Sequence, residues 1–173
     1  MDDKQIKSEL IVAFSGHRPN KIGGYKLPNP TYNYICQQLK TTLELLKPSK
    51  AISGMALGID QWAAYICSQL GIPFIAAVPF IGQEKAWPKE SQDIYHKLLK
   101  KASEVVIVSE GDYSAQKMQI RNQWMVDRCN KLIAVWDGTP GGTHNCMQYA
   151  KSIGCDIILI DLKAYNETQK TQS

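Results

Sequence analysis

The sequence predicts an α/β fold, a doubly wound and mainly parallel sheet of about six strands with helices on both faces. Short apolar runs alternate along the chain with segments of helical periodicity, which is typical of βαβ units. The apolar runs are nearly continuous, as expected for strands that are covered on both faces. Right-handed crossovers between such strands make them parallel.

Three strands are predicted in the first half of the chain, at residues 10–15, 50–53 and 74–78. A helix over about 31–46 joins the first two strands, and its apolar face is marked by Ile35, Leu39 and Leu43. A second helix precedes the third strand. Asp60 is its expected N-cap, and Gly71 is placed to end it.

The second half continues the alternation. Strands are predicted at 105–109, 132–136 and 157–160, and helices at about 89–102, 114–130 and 146–153. Residues 162–173 are expected to form a solvated C-terminal tail. Because the chain has 173 residues and no repeat or low-complexity segment, it is interpreted as one domain with its core at about 10–161.

Composition narrows the class of protein. The first ten residues are polar and acidic, unlike a secretory signal, and the longest apolar runs are too short to cross a membrane. Five cysteines without a CxxC pair predict a reduced, cytoplasmic protein with no disulfide framework and no metal site. A net charge of +4 suits an anionic ligand, whereas the scattered lysines argue against nucleic acid.

The residues best suited to ligand binding come directly after predicted strands. Ligands of such sheets bind beyond the carboxyl ends of the strands, so these residues are expected to form one nucleotide-sized pocket. In chain order they are Ser15, Gly16, His17 and Arg18, then Ser53, Gly54 and Met55, then Gln83 and Trp87, then Tyr113, and finally Asp137, Gly141, Gly142 and Thr143.

The last of these groups lies in a glycine turn between a strand and a helix. Gly141 and Gly142 let the backbone approach a phosphate, and the helix N-terminus favours negative charge. Thr143 is a candidate N-cap or a hydroxyl donor to a phosphate oxygen. A turn that merely connects two elements would have the same sequence, so both interpretations stay open.

The charged and aromatic candidates also have two interpretations each. Arg121 shares a helix stripe with two methionines, so it either forms an ion pair with Asp60 or Asp137 or reaches the ligand. His17 is an acid–base group, a phosphate contact or a partner of the backbone, and Arg18 is a phosphate candidate.

Asp60 suits a helix cap or ribose hydroxyls. Trp87 and Tyr113 either stack on a base or cover the end of the sheet.

Four motifs occur in an order that resembles one superfamily. They are FSGHRP (14–19), SGMALGID (53–60), RNQWMVD (121–127) and PGGT (140–143). From about residue 10 to 160 the chain resembles the SLOG superfamily, a Rossmann-like group. It includes the Lonely Guy phosphoribohydrolases, the DNA-processing protein DprA and YpsA-type proteins, and the YpsA/YspA-like branch is the most similar.

The resemblance implies a Rossmann-like fold with a phosphate-binding pocket. In the Lonely Guy enzymes an arginine and a glutamate cleave the N-glycosidic bond of a nucleoside monophosphate. Arg121 matches that arginine, but the glutamate position falls on Cys146 and the glycine loop is one residue shorter. Because a thiol cannot stabilise an oxocarbenium-like centre as a carboxylate does, this difference argues against that hydrolysis.

The first hypothesis is therefore a protein that binds a nucleotide or nucleotide-derived ligand as a sensor or sequestering module, with no required cofactor. One alternative is an N-glycosidic hydrolase in which Arg121 is catalytic with a carboxylate from Asp60, Glu84 or Asp137. The other is DprA-like binding of single-stranded nucleic acid. The base, the number of phosphates, the pathway and the oligomeric state stay open, although related folds often dimerise.

Overall fold

A computed structural model describes residues 9–171 and contains six strands in one parallel sheet. The strands are β1 (Ile11–Gly16), β2 (Lys50–Ser53), β3 (Phe74–Val78), β4 (Glu104–Ile107), β5 (Lys131–Trp136) and β6 (Asp156–Asp161). They lie in the order β4-β3-β2-β1-β5-β6, and every pair is parallel. The predicted α/β fold is confirmed.

Six α-helices cover both faces of this sheet. They are α1 (Pro30–Leu46), α2 (Ile59–Leu70), α3 (Lys89–Lys101), α4 (Ala115–Asp127), α5 (Gly142–Ser152) and α6 (Leu162–Thr171), with a short 3-10 helix at Pro19–Lys21. One apolar cluster joins the sheet to α1, α2, α3 and the start of α6, and a second joins it to α4 and α5. The four central strands β1, β2, β3 and β5 are thus buried between two helical layers, whereas the edge strands β4 and β6 are largely exposed or half-buried.

The strand order contains one reversal, and it lies beside β1. From β1 the chain adds β2, β3 and β4 on one side, and then returns to place β5 and β6 on the other side. The loops that follow β1 and β5 therefore diverge and leave a crevice between them. This is the place where open α/β sheets bind ligands.

Two predicted N-caps are wrong, each by two residues. The helix α2 begins at Ile59 after Gly58, so Asp60 lies in the first turn and is not the N-cap; its carboxylate accepts the N–H of Ala56 at 3.3 Å. Likewise α5 begins at Gly142 after Gly141, and Thr143 is not its N-cap. Glycine occupies both cap positions because the backbone has positive φ there, 95° and 147°.

The predicted C-terminal tail is also wrong for residues 162–171, which form α6. Leu162 is 1% exposed and belongs to the larger core cluster, and Tyr165 stacks on Tyr34 with 4.1 Å between ring centroids. The remaining side chains of this helix are mostly exposed, so the sequence offers no apolar stripe. Residues 172–173 of the predicted tail and residues 1–8 of the N-terminal segment lie outside the described residues.

Within residues 9–171, each helix is too short or too polar to span a bilayer. The same residues bring together no group of three or more His, Cys, Asp or Glu side chains that could hold a metal ion.

Candidate functional site

A polar pocket of about 330 Å³ opens at the reversal of strand order. Nine predicted residues line it: Ser15, Gly16, His17, Arg18, Asp60, Arg121, Gly141, Gly142 and Thr143. Five further residues complete the lining, namely Asn20, Lys21, Ala56, Met118 and Asn122. We call this the switch-point pocket.

Four predicted residues lie beneath the pocket instead of lining it. They are Ser53, Gly54, Met55 and Gln83, and all of them are buried. The Ser53 hydroxyl donates to the carbonyl oxygen of Asp60 at 2.7 Å and accepts the N–H of Met55 at 3.2 Å. These contacts fix the loop after β2, so its side chains support the pocket wall.

The two predicted aromatic residues lie outside the pocket lining. Trp87 packs edge-on against Tyr95 with 5.3 Å between centroids. Tyr113 is 69% exposed and meets Phe80 edge to face, with 6.0 Å between ring centroids. Neither side chain is placed to face a base in this pocket.

Arg121 is the most deeply buried cation of the site, with 4% of its surface exposed. Its Nη1 donates to the carbonyl oxygen of Gly54, and its Nε donates to Asn122 Oδ1 at 2.9 Å. A Cβ on Gly54 would lie 2.6 Å from Arg121 Nη1, so this approach requires glycine. Arg121 takes part in none of the ion pairs among residues 9–171, so the ion pair with Asp60 or Asp137 is not formed.

The charges around the pocket favour an anion. Burial raises the pKa of Asp60, although Arg121, the Ala56 N–H and Arg18 oppose this. Burial also lowers the pKa of Arg121, which Asp60 opposes, but a guanidinium stays protonated near neutral pH. Three cations, Arg18, Lys21 and Arg121, therefore line the pocket with one carboxylate whose ionisation is disfavoured.

His17 connects the two loops that border the pocket. Its Nε2 lies 3.0 Å from Asp137 Oδ1 and 3.1 Å from the backbone nitrogen of Asp137. Burial lowers the pKa of His17 despite the nearby carboxylate, so the ring is neutral at pH 7. Asp137, which was predicted to line the pocket, is not among the lining residues and reaches it only through this contact with His17. Its carboxylate also accepts the N–H of Thr139 at 3.0 Å.

Asp137 has the opposite pKa shift. Burial alone would raise the pKa of its carboxyl, but two hydrogen bonds from Thr139 and the neighbouring His17 and Lys21 lower it. Lys21 also donates to Thr139 Oγ1 at 3.2 Å, so it bridges the same two loops.

The N-terminus of α5 forms the other wall of the pocket. The N–H of Asn145 is bonded to the carbonyl oxygen of Gly141, whereas the preceding amides of the first turn have no partner within the helix. A Cβ on Gly141 or Gly142 would meet no atom within 4 Å, so the space above these amides is open. Such a helix start attracts phosphate or carboxylate groups.

Cys146 lies in the next turn of α5 and is buried. Burial raises the pKa of its thiol to about 11, in spite of a hydrogen bond with Ser15 that lowers it. The group is neutral at pH 7 and supplies no negative charge to the pocket.

Three polar residues of the lining were not predicted. Asn20 and Lys21 directly follow the FSGHRP motif, and Asn122 directly follows Arg121. Their proximity to the motifs was the available signal.

A parallel sheet with a polar pocket at its strand reversal defines a Rossmann-like domain. Residues 12–163 match the model of the YspA SLOG family, and the chain belongs to this family. The predicted superfamily is confirmed. The SPbeta prophage-derived protein YoqJ of Bacillus subtilis (strain 168) is 35% identical over 145 residues, which are 72% of this chain and 85% of YoqJ.

Three solved structures share the fold at low sequence identity. DNA processing protein A (DprA) from Streptococcus pneumoniae has a TM-score of 0.64 and 18% identity, and the match covers 87% of this chain but half of DprA. DprA from Helicobacter pylori, studied for its single-stranded DNA binding mode, has a TM-score of 0.63 and 21% identity, and the match covers 91% of this chain and 68% of that DprA. The molybdenum cofactor binding protein of Rippkaea orientalis has a TM-score of 0.58 and 15% identity, and the match covers 95% of this chain and 85% of that protein.

Proposed function

We propose that this protein binds a nucleotide or nucleotide-derived ligand in the switch-point pocket, as a sensor or a sequestering module. The observation that carries the proposal is Arg121, a buried guanidinium that lines the pocket and forms no salt bridge within residues 9–171; its charge partner Asp60 is itself buried, and burial disfavours its ionisation. A buried charge that is incompletely compensated costs free energy. An anionic ligand would offset this cost.

The pocket offers different chemistry for different parts of such a ligand. The amides at Gly142 and Thr143, together with Arg18, suit a phosphate. The Asp60 carboxyl suits ribose hydroxyls because it can accept hydrogen bonds from them. A volume of about 330 Å³ is at the lower end of the range for small-molecule sites, which suits one nucleotide.

The binding experiment is titration calorimetry with a panel of nucleoside mono- and diphosphates and ADP-ribose. We expect at least one ligand to bind, and Arg121→Gln to weaken it at least tenfold, about 1.5–3 kcal/mol for a hydrogen bond to a charged group. Arg128→Gln is the matched control, because Arg128 follows α4 and lies over the Trp124 ring, outside the pocket. If no panel member binds, or if both variants bind alike, the proposal fails.

A second variant tests the same site without removing a protein contact. A methyl group on Gly142 would meet no protein atom within 4 Å, so Gly142→Ala should fold normally and project its methyl into the ligand's space. We expect a loss of affinity with an unchanged melting temperature. Equal affinity for the alanine variant would place the ligand away from α5.

Asp60 favours a second candidate function, the cleavage of an N-glycosidic bond. Of the three carboxylates considered, Asp60 lines the pocket, Glu84 lies 3.8 Å from His96, and Asp137 contacts His17. A carboxyl whose pKa is raised by burial suits general acid catalysis. Release of free base from a nucleoside monophosphate, abolished by Asp60→Asn, would support this activity, and no release at high protein concentration would exclude it.

The DprA structures give a third candidate, binding of single-stranded DNA. This proposal is supported by the shared fold and by the three cations at the pocket. Binding of an oligonucleotide should weaken steeply as salt is raised, since each phosphate contact releases counterions. Absence of binding at low ionic strength would remove this candidate.

A further inference from the structure

A second and larger cavity lies beside the switch-point pocket and is not explained by it. Its volume is about 510 Å³, and it is bounded by α2, one side of α3 along its length, the start of α1 and the loop after β1. Most of its lining is apolar or aromatic, including Leu57, Tyr32, Trp62, Tyr65, Ile94 and Leu98. We call it the aromatic cavity.

The aromatic cavity is separated from the switch-point pocket by a thin wall. Arg18 and Ala56 line the switch-point pocket, whereas their neighbours Pro19 and Leu57 line the aromatic cavity. The two share no lining residue. The aromatic cavity is therefore a binding site separate from the one proposed for the phosphate ligand.

Gln61 supplies a hydrogen-bond acceptor to this apolar cavity. Its side chain is 94% buried, since 6% is exposed, and it belongs to the cavity lining. The Nε2 group donates to the carbonyl oxygen of Met55 at 3.2 Å, which fixes the orientation of the amide. In residues 9–171 no hydrogen bond reaches Gln61 Oε1, so this acceptor is available to a ligand's N–H or O–H group.

The shape and charge of the cavity restrict its occupant further. Tyr32 and Trp62 meet edge to face at 4.8 Å and form a rigid aromatic wall. Lys97 and Lys101 stand at the rim with one acidic residue, Glu90. An apolar lining with a few placed polar groups, and a volume within about 300–1,000 Å³, is typical of small-molecule sites.

We infer that the aromatic cavity binds a planar aromatic small molecule that carries one hydrogen-bond donor and one anionic group. The rings pack against Trp62 and Leu98, the donor reaches Gln61 Oε1, and the anion lies near Lys97 and Lys101. Binding also covers Ile94, which is 53% exposed. This site goes beyond the proposed nucleotide function and does not depend on it.

The test uses the fluorescent probe 6-anilinonaphthalene-2-sulfonate, which has flat rings, one N–H and a sulfonate. We expect saturable binding of one molecule per chain with enhanced fluorescence. Ser91→Trp fills the cavity from α3 and should weaken binding at least tenfold. The matched control is Lys100→Trp, which adds the same side chain on the same helix outside the cavity and should leave the affinity unchanged.

Two pairs of measurements separate the polar contributions. Replacing both Lys97 and Lys101 by glutamine should weaken the sulfonate probe severalfold but not the uncharged N-phenyl-2-naphthylamine. Gln61→Leu should weaken the anilino probe but not 6-phenoxynaphthalene-2-sulfonate, which lacks the N–H group.

Three outcomes would overturn the inference. Equal probe binding by the Ser91→Trp variant and the unaltered chain would place the dye elsewhere on the surface. A dimer in analytical ultracentrifugation that becomes monomeric with Ser91→Trp would show that a second copy of the chain covers this face. If a nucleotide displaces the probe from the unaltered chain but not from the Arg121→Gln variant, the dye binds in the switch-point pocket.

Discussion

Arg121 occupies its place in the site because Gly54 has no side chain there. The Gly54 carbonyl accepts from Arg121 Nη1, and the glycine has no side chain to displace the guanidinium. The sequence showed both residues in motifs, but it could not show that they touch, because 67 positions separate them. Their contact depends on the packing of α4 over the loop after β2.

This contact gives the first prediction. Gly54→Ala should destabilise the fold by about 1–3 kcal/mol, since its methyl would overlap the guanidinium. In an Arg121→Ala background the same change should cost less, with a coupling of about 0.5–3 kcal/mol. Urea unfolding of the unaltered chain, the two single variants and the double variant measures this coupling. If the two single costs simply add in the double variant, the contact is contradicted.

His17 gives a prediction of pH dependence. Its pKa in the folded chain lies below the ordinary histidine value of 6.5, so the unfolded chain binds a proton first as the pH falls. The stability from neutral His17 is therefore complete above about pH 6.5 and declines below it, until the pH passes the folded pKa. His17→Gln should remove this decline in urea unfolding between about pH 7.5 and 5.5.

The control for this experiment is His144→Gln, which alters a half-buried histidine of α5 that pairs with Gln148 and stacks on Trp136. It should keep the decline of the unaltered chain. An unchanged decline in the His17 variant would assign the pH dependence to other groups.

At the level of elements, strands were easier to predict than short polar helices. The bounds of β2 and β3 were predicted to the residue, because residues that break regular structure flank them: Pro48 and Gly54 for β2, and Pro73 and Pro79 for β3. The helix α6 was missed because Leu162 is its one buried residue and the next nine are solvated or half-buried. Its position is determined by contact with the core, which periodicity does not reveal.

The contribution of α6 to stability can therefore be tested at Leu162. Leu162→Ala should destabilise the protein by about 2–5 kcal/mol, the usual cost of this truncation in a core. Glu167→Ala alters an exposed position of the same helix and should change the stability by less than about 0.5 kcal/mol. Thermal or urea unfolding compares the two, and equal small effects would show that α6 is peripheral to the core.

The whole molecule assembles the switch-point pocket from distant parts of the chain. The sequence predicted which loops would meet, because carboxyl ends of parallel strands share one edge. It did not predict the aromatic cavity, whose residues come from three helices and the loops between them and carry no shared motif. Predicting that cavity requires the relative placement of α2 and α3.

This assembly predicts how a bound ligand would affect hydrogen exchange. A nucleotide at about 100 times its Kd should stabilise the fold by about 2.7 kcal/mol. Amide protection should rise together in residues 15–21, 54–60 and 141–146, although these segments are far apart in sequence. Mass spectrometry of exchange measures this, and Arg121→Gln should abolish it. Protection confined to a single segment would contradict a pocket shared by all three.

The central position of β1 has a consequence for synthesis on the ribosome. Gly16 and Lys131, which end β1 and begin β5, are separated by 114 residues. At about 5–20 residues per second, β1 waits on the order of 10 s for this neighbour. During that interval one edge of an apolar strand is unpaired, and exposed edges of this kind template aggregation. Newly made chains therefore present this edge of β1 to other strands until β5 has emerged.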